Sequence, residues 1–415
     1  MQAVNVGRMV LGIVSSAFVA AACAQQQARS AGETRRTSHV ASATDPAITI
    51  ADLTRRLNAY ADDSMMGREA GTTGNARATA YLAAEAARIG LEPAGDSGTY
   101  FQEIRATSLR FAGNSPPGSA RNVIAILRGS DPVLRNEFVA IGAHNDHIGT
   151  RAAAVDHDSL RAYNLALNRL GAPHWDRAVA AEKRGAVRAA IRVNTDSLRR
   201  IRPARRDSIN NGADDDGSGT VTVLEIAEAL ARAPVKLRRS VLFVWHTAEE
   251  KGLLGAKWFT ENPTVPREVI VAQLNMDMVG RGGTADIAGG GPDYLQLVGS
   301  RRLSTQLGDI VEQVNSARSR PFRFDYALDA EGHTERIYCR SDHYMYARYG
   351  IPVTFFTTGL HPDYHQVTDE VQYIDFDHMM RVAELVRDVA ISVANLDRRP
   401  RVDKPVGEPN AACVQ

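Results

Sequence analysis

Cysteine, aromatic residues and net charge are all scarce in this sequence. Its 415 residues include 3 cysteines, aromatic side chains make up 6%, and the formal net charge is +1. So few cysteines build no disulfide framework, and no Cys-x-x-Cys pair exists, so any bound metal must be held by histidine and carboxylate side chains. A charge near zero, without a basic stretch interleaved with aromatics, argues against nucleic acid as a partner.

The N-terminal apolar stretch, residues 9–22, is shorter than the roughly 20 residues that a membrane-spanning helix needs. It follows Arg8 and runs into small residues around Cys23, a pattern that predicts an export signal over 1–24 rather than a buried N-terminal helix. Cleavage after Ala24 would release the protein to the periplasm or the medium. Cleavage before Cys23 would leave a lipidated N-terminal cysteine, and the protein would then be an outer-membrane lipoprotein. The polar stretch 25–46 is predicted to be a disordered tether.

Apolar side chains, in contrast, are plentiful enough for a large core, at 44% of the chain. Short runs rich in β-branched residues predict strands buried on both faces, at 122–127, 138–142, 241–245, 269–274 and 353–356. Helical patterns alternate with them at 73–89, 220–233 and 253–260. The alternation predicts one α/β domain over 47–398, with a mostly parallel or mixed central β-sheet flanked by helices on both faces. Residues 399–415 are predicted to form a C-terminal tail.

Residues 150–210 differ from the rest of the chain, with thirteen basic side chains against six acidic ones. Their Ala, Leu and Arg content predicts two or three helices inserted into the α/β domain. Three interpretations remain open for this basic insertion: a solvated helical segment, a lid over a site, or a contact surface.

Histidine and acidic residues collect beyond the predicted strands, where active residues of α/β sheets gather. In chain order, the groups are His144 with Asp146, Asp214–Asp215–Asp216, Glu249–Glu250, Asp277 and, much later, His365. Two imidazoles and several carboxylates form a ligand set for a pair of zinc ions, with one carboxylate left to act as a base.

Each group taken alone has a plainer explanation. A glycine-rich acidic turn such as that around Asp215 is more often a simple loop or a calcium site, and a Glu–Glu pair is usually exposed. Asp277, in an apolar stretch, needs a cationic neighbour, which would be either an arginine or a metal. Together, the groups favour a zinc hydrolase.

At these positions the sequence resembles the co-catalytic di-zinc aminopeptidases of clan MH, which include aminopeptidase Y and bacterial leucyl aminopeptidases, with glutamate carboxypeptidase II as a larger relative. The resemblance covers roughly residues 50–395. Its motifs are Gly-Ala-His-Asn-Asp-His-Ile-Gly at 142–149, the acidic turn at 212–219, Thr-Ala-Glu-Glu-Lys-Gly-Leu-Leu-Gly at 247–255, and the shorter segments 275–278, 341–343, 350–352 and 364–369.

The resemblance implies a role for each metal-ligand candidate. His144 and Asp277 would bind one zinc ion, Glu250 and His365 would bind the other, and Asp215 would bridge the two.

The resemblance also implies three residues that act on the substrate or on a ligand. Glu249 would be the general base and then the acid for the leaving amine. Asp146 would support His144, and Tyr338 would steady the developing oxyanion.

The resemblance implies an aminopeptidase that uses two zinc ions to act on peptides. The predicted export signal makes this an exported enzyme. A carboxypeptidase or dipeptidase of the same family is the first alternative. A glutaminyl cyclase shares the fold but uses one zinc and lacks the first histidine ligand, whereas His144 is present. A catalytically inactive receptor-like binding protein would have lost ligands or the base, and here all are retained. The sequence determines neither the preferred N-terminal residue nor the oligomeric state.

Overall fold

Strands and helices alternate along the chain, as the periodicity predicts. The computed structural model describes residues 44–104 and 120–415. The predicted export signal, Cys23 and most of the predicted tether lie outside the described residues. Residues 45–415 form one compact unit.

The strands are short and lie mostly in the middle of the chain. They are β1 (Glu92–Pro93), β2 (Phe101–Glu103), β3 (Arg121–Leu127), β4 (Phe138–His144), β5 (Thr150–Asp156), β6 (Arg206–Ile209), β7 (Ser240–His246), β8 (Ile270–Met276), β9 (Tyr294–Val298), β10 (Arg323–Asp325) and β11 (Val353–Thr357). The five strands predicted from apolar runs correspond to β3, β4, β7, β8 and β11, with boundaries that agree within two residues.

One nine-stranded mixed sheet forms the centre of the fold, in the order β1-β3-β7-β4-β8-β11-β9-β10, with β2 also paired to β3. The central strands β7, β4, β8 and β11 are mutually parallel. Strand β3 joins β7, and β9 joins β11, in the antiparallel sense. The prediction of a mostly parallel or mixed α/β sheet is therefore confirmed.

Both faces of this sheet are buried, which explains why its strands show no apolar–polar alternation. In β7, Val241, Phe243 and Trp245 pack into the larger hydrophobic core on one face. Leu242 and Val244 pack into a second core on the opposite face. Successive side chains of a strand point to opposite faces, so an uninterrupted apolar run serves both cores.

Helices cover the two faces of the sheet, and three further helices lie in the basic insertion. They are α1 (Ile50–Tyr60), α2 (Thr73–Ile89), α3 (His157–Arg169), α4 (Ala181–Ala190), α5 (Thr195–Ile201), α6 (Gly219–Arg232), α7 (Leu254–Glu261), α8 (Thr305–Ser316), α9 (His343–Ala347) and α10 (Phe376–Ala394). Helix α2 has the predicted bounds and ends at Gly90, whose φ of +90° places it in the left-handed region that a glycine C-cap adopts. Among the described residues, no helix combines the length and apolar character required to cross a membrane.

The basic insertion contains helices α3, α4 and α5, in line with the predicted two or three helices. It also contains two strands that the sequence did not predict: β5 and β6 pair in the antiparallel sense and close the base of the insertion. Helix α4 has no buried residue, whereas α3 buries His157, Asp158, Asn164 and Leu167. The insertion is thus solvated on one side and packed on the other.

The C-terminal tail is fastened to the domain. Cys413 forms a disulfide with Cys339, a pairing that the sequence left undecided. The side-chain amide oxygen of Gln415 accepts a hydrogen bond from the backbone N–H of Tyr338 at 3.0 Å, and Gln415 is buried.

Candidate active site

The candidate ligands meet at one edge of the sheet because neighbouring parallel strands end there. His144 is the last residue of β4, and Asp277 directly follows β8, the strand paired with β4. Glu249 and Glu250 lie in the turn after β7, on the other side of β4.

A first group of ligand-type side chains consists of His144, Asp215 and Asp277. Nε2 of His144 lies 3.2 Å from Oδ1 of Asp215 and 3.6 Å from Oδ1 of Asp277. All three side chains are buried. Their ligand atoms are mutually close enough to hold one metal ion.

A second group shares Asp215 with the first. Nε2 of His365 lies 3.2 Å from Oδ2 of Asp215 and 2.9 Å from Oε2 of Glu250. Asp215 therefore presents Oδ1 to the first group and Oδ2 to the second, which is the arrangement that a bridging carboxylate requires. The structure brings all five predicted metal ligands together.

The three consecutive aspartates have different neighbours. Asp214 accepts a hydrogen bond from the backbone N–H of Gly280 at 2.7 Å, and Asp216 accepts one from the backbone N–H of His144 at 3.0 Å. The carboxylates of Asp214 and Asp216 thus bind backbone N–H groups. Asp215 is the aspartate of the three that lies next to both His144 and His365. The Asp215–Asp216 peptide bond is cis.

The polar atoms of the first group fit a metal ion. Neither Nε2 of His144 nor Oδ1 of Asp277 makes a hydrogen bond within the described part of the chain, although both are buried. Burial, with Asp215 close by, raises the pKa of Asp277 despite the opposing effect of His144. Buried polar atoms without partners are costly, and a cation between them removes that cost.

Glu249 lies beside the first group and outside its ligand set. Its Oε2 is 3.9 Å from Nε2 of His144. Burial raises the pKa of Glu249 well above its usual value, and the nearby carboxylates of Asp277 and Glu250 raise it further. A carboxyl group with a raised pKa next to a metal position is suited to accept and return a proton.

Asp146 contacts both His144 and the turn that carries Glu249. Its backbone carbonyl accepts the hydrogen bond from Nδ1 of His144 at 3.1 Å, while its carboxylate oxygen lies 3.7 Å from that nitrogen. The carboxylate accepts the backbone N–H of Glu249 at 3.0 Å. Asp146 therefore orients the imidazole mainly through its main chain and the base through its side chain.

Tyr338, the predicted oxyanion residue, does not reach this site. It lies in a 3₁₀ turn, and its ring packs against the guanidinium of Arg302 at 4.0 Å, lining a separate cavity. Its neighbour Ile337 takes the inward-facing position of that turn. The tyrosine that lines the candidate active-site cavity is Tyr364, directly before His365 in the chain.

The cavity beside the two groups is lined in part by apolar side chains. These are Met278, Leu328, Ile337, Phe355 and Leu360. Arg340 and Tyr364 also line the cavity, and Arg340 donates a hydrogen bond to the hydroxyl of Tyr364 at 3.2 Å and pairs with Glu335 at 2.8 Å. The cavity thus combines an apolar pocket with a cation and a tyrosine hydroxyl close to the metal-type ligands.

Ser341 and Asn275 support Asp277, a role that the sequence analysis did not assign. Ser341 donates a hydrogen bond from Oγ to Oδ2 of Asp277 at 2.8 Å, and the side-chain amide of Asn275 donates to Ser341 Oγ at 2.9 Å. Both residues lie within motif segments, which was the one signal pointing to them.

The basic insertion contacts the loop that carries His365. Arg161 pairs with the buried Asp363 at 3.2 Å, and Nε2 of His174 donates to the backbone carbonyl of Tyr364 at 2.9 Å. The insertion therefore packs against the loop that carries His365.

Three non-glycine residues next to or within the ligand set have positive φ angles: Ala248 at +53°, Met278 at +55° and His365 at +56°. Such backbone conformations are uncommon for residues with a Cβ and collect at functional sites. Each one precedes, follows or is a predicted catalytic or ligand residue.

This fold and these two groups of metal-type ligands are those of a metallopeptidase. The sequence model of Peptidase family M28 matches residues 122–390, and the chain belongs to that family. The predicted resemblance to clan MH is therefore confirmed at the level of the family, as is the prediction of a metallopeptidase.

Individual relatives agree with this assignment. Leucine aminopeptidase 1 of Penicillium rubens is 32% identical over 192 residues, which cover 44% of this chain and 47% of that protein. The chain thus spans about half the length of the curated relatives it matches.

Solved structures share the fold at low sequence identity. A glutaminyl cyclase from Porphyromonas gingivalis has a TM-score of 0.55 and 20% identity, covering 82% of this chain and 97% of that one. A Zn-dependent exopeptidase from Parabacteroides distasonis has a TM-score of 0.51 and 20% identity, covering 84% and 99%.

Proposed function

We propose that this chain is an exported aminopeptidase that uses two zinc ions to remove apolar N-terminal residues from peptides. The observation that carries the proposal is Asp215, whose two oxygens face two separate ligand groups beside Glu249. The first zinc ion would be held by His144, Asp215 and Asp277. The second would be held by Asp215 together with Glu250 and His365.

When bound, the zinc ions supply polarisation of the scissile carbonyl and activation of a water molecule. Glu249 accepts the proton of the attacking water and returns it to the leaving amine, for which its raised pKa is suited. Asp146 fixes the backbone of Glu249, so that the carboxylate is already in place when substrate enters.

Tyr364 is the proposed donor to the developing oxyanion. Burial, with Asp215 and Glu250 nearby, raises the pKa of its hydroxyl well above the usual value, so the proton stays available for donation. Arg340 donates a hydrogen bond to the same hydroxyl oxygen and thereby orients it.

The apolar part of the cavity lining supports a preference for a large apolar first residue. Ile337, Phe355 and Leu360 offer a surface that suits a leucine, methionine or phenylalanine side chain. A charged side chain would lose its hydration against these apolar groups.

The Cys339–Cys413 disulfide supports export, because disulfides persist in oxidising compartments. Whether the exported protein is released or remains attached through a lipidated Cys23 depends on the cleavage position. Mass analysis of the mature N terminus distinguishes a free residue 25 from an acylated Cys23. An unprocessed chain carrying residue 1 would contradict export.

The family alternatives are tested by one substrate panel. Aminoacyl anilides with free and acetylated N termini, dipeptides with free and blocked C termini, and an N-terminal glutaminyl peptide are assayed before chelation, after chelation and after zinc is restored. The proposal expects cleavage of free-amine substrates with Leu, Met or Phe first, lost and regained with zinc.

Other outcomes of the panel would contradict the proposal. A strict need for a free C-terminal carboxylate would identify a dipeptidase or carboxypeptidase. Cyclisation of the glutaminyl peptide without hydrolysis would identify a glutaminyl cyclase. A protein that holds zinc but transforms no substrate would be a binding protein.

A further inference from the structure

His147 is a buried imidazole at the metal-type ligands that the proposed mechanism does not use. It follows His144 by three residues and has 0% side-chain exposure. Its Nδ1 lies 2.8 Å from Oε1 of Glu250 and 3.7 Å from Oδ2 of Asp215. The His147 and His365 rings meet edge to face, with centroids 5.6 Å apart.

We propose that His147 is a fourth protein ligand of the second zinc position, beside Asp215, Glu250 and His365. The proposal rests on the proposed two-zinc function. The ligand atoms of these four residues all lie within 4.8 Å of one another.

Three of the six separations between these atoms are close to those of a tetrahedral site. Bonds of 2.0–2.1 Å to a tetrahedral zinc ion imply ligand–ligand separations of roughly 3.3 Å. His365 Nε2 lies 2.9 Å from Glu250 Oε2 and 3.2 Å from Asp215 Oδ2, and the separation of 3.7 Å between His147 Nδ1 and Asp215 Oδ2 is comparable.

The backbone around His147 holds the ring in this position. Its N–H donates to the carbonyl of Arg68 at 3.3 Å. Gly212, with a φ of +54°, lies against the ring: a Cβ at that position would be 2.6 Å from two of the ring carbons. A side chain at 212 would therefore collide with the imidazole, so this glycine makes room for the ring of His147.

The consequence is an asymmetric pair of metal positions. Four protein ligands close a tetrahedral zinc site, whereas three leave an open position for water or substrate. The second position would then bind its zinc ion more tightly and serve to position Asp215. The first position, with His144, Asp215 and Asp277, would stay open next to Glu249.

The competing explanation is that His147 only donates a hydrogen bond to Glu250, since the two atoms are 2.8 Å apart. The variant His147→Asn separates the explanations, because an asparagine amide can still donate to Glu250 but is a poor zinc ligand. A supporting role predicts that the variant retains its tightly bound zinc within about 10-fold of the wild-type affinity, because the amide keeps the contact whose complete loss would cost about 10- to 100-fold.

The experiment measures the zinc content and zinc affinity of the wild type and of H147N by competition with a chromophoric chelator. It also records the visible spectrum of each protein with one equivalent of cobalt(II). The proposal expects two zinc ions in the wild type, and in H147N a loss of at least about 100-fold in affinity at the tight site, with a changed cobalt spectrum. The variant H378N, at a buried histidine of α10 that contacts neither ligand group, is the control and should match the wild type.

The outcomes separate this inference from the function on which it rests. A wild type that binds fewer than two zinc ions overturns the two-zinc proposal together with this inference. A wild type with two zinc ions and an H147N protein of nearly equal affinity overturns this inference alone.

A second measurement uses the wild type and does not depend on the folding of a variant. In protein carrying nitrogen-15 histidine and cadmium-113, the tightly bound cadmium is expected to couple to two imidazole nitrogens, those of His147 and His365. Coupling to one imidazole nitrogen overturns the assignment.

Discussion

The two groups of metal-type ligands are positioned in different ways. In the first group, His144 ends β4 and Asp277 follows β8, so two adjacent buried strands fix them directly. In the second group, His365 lies on a loop with a φ of +56° and a side chain that is 32% exposed. The sheet therefore positions His144 and Asp277 of the first group, called the strand-end group below. Tertiary contacts position His365 of the second group, called the loop group below, although its Glu250 also follows a strand.

The contacts that hold the His365 loop come largely from outside the sheet. Asp363 in that loop is fully buried and pairs with Arg281 at 2.8 Å as well as with Arg161 of the basic insertion. The strand-end group is thus built on the α/β sheet itself, whereas the loop that carries His365 is held in part by the insertion.

The largest effect on the cleavage rate is expected at Glu249, which lies beside the strand-end group. Glu249→Gln removes the proton acceptor and keeps a side chain of equal size, so the rate of peptide cleavage should fall by about 10²- to 10⁴-fold. Elemental analysis should find zinc unchanged, because Glu249 is outside both ligand sets. Near-normal turnover in E249Q would remove Glu249 from the mechanism.

A smaller effect is expected where the insertion meets the loop group. Arg161→Ala removes the pair with Asp363 and the packing on the Tyr373 ring, whose centroid lies 3.7 Å from the guanidinium carbon. We expect zinc at the loop group to bind about 10-fold more weakly. Chelator competition measures this loss, and the zinc of the strand-end group should be unaffected.

The matched control is Arg202→Ala. Arg202 pairs with Asp158, so both partners belong to the insertion itself. A loss of zinc in R202A equal to that in R161A would contradict a specific clamp on the loop, since it would point to the stability of the whole insertion.

The smallest effect concerns Glu370, just beyond the same loop. Burial raises its pKa to about 8; the Asn211 amide opposes this shift, and the carboxylates of Asp207 and Asp369 add to it. Because the folded state holds a proton that the unfolded state releases near pH 4.5, stability present at pH 4–5 is lost as the pH rises through 8.

Glu370→Gln has no such proton to lose. Its melting temperature should match the wild type near pH 5 and exceed it by about 2 °C at pH 9. An equal difference at both pH values would show that the carboxyl does not titrate as described.

The sequence predicted the strand-end group better than its surroundings. Short apolar runs identified β4, β7 and β8, and polar residues directly beyond such strands must meet at one edge of the sheet. The predicted position of Tyr338 in the site differs from the structure because it depends on which residue of a short turn faces inward. Periodicity carries no information about the orientation of residues in a three-residue turn.

The remaining site residues depend on contacts between distant segments. His147 is buried against the Gly212 turn, which lies 65 positions further along the chain (212 − 147), and nothing in the local pattern indicates that approach. The contact between Arg161 and Asp363 spans 202 positions. Strands β5 and β6 were missed for the same reason, since their pairing closes a long helical insertion.

The proposal that Asp215 bridges two zinc positions of unequal ligand number is tested most directly with crystals of the zinc-loaded protein. Diffraction is recorded on both sides of the zinc absorption edge. The account predicts two anomalous peaks, one among His144, Asp215 and Asp277, and one among His147, Asp215, Glu250 and His365. A single peak, or a peak that Asp215 does not contact, would contradict it.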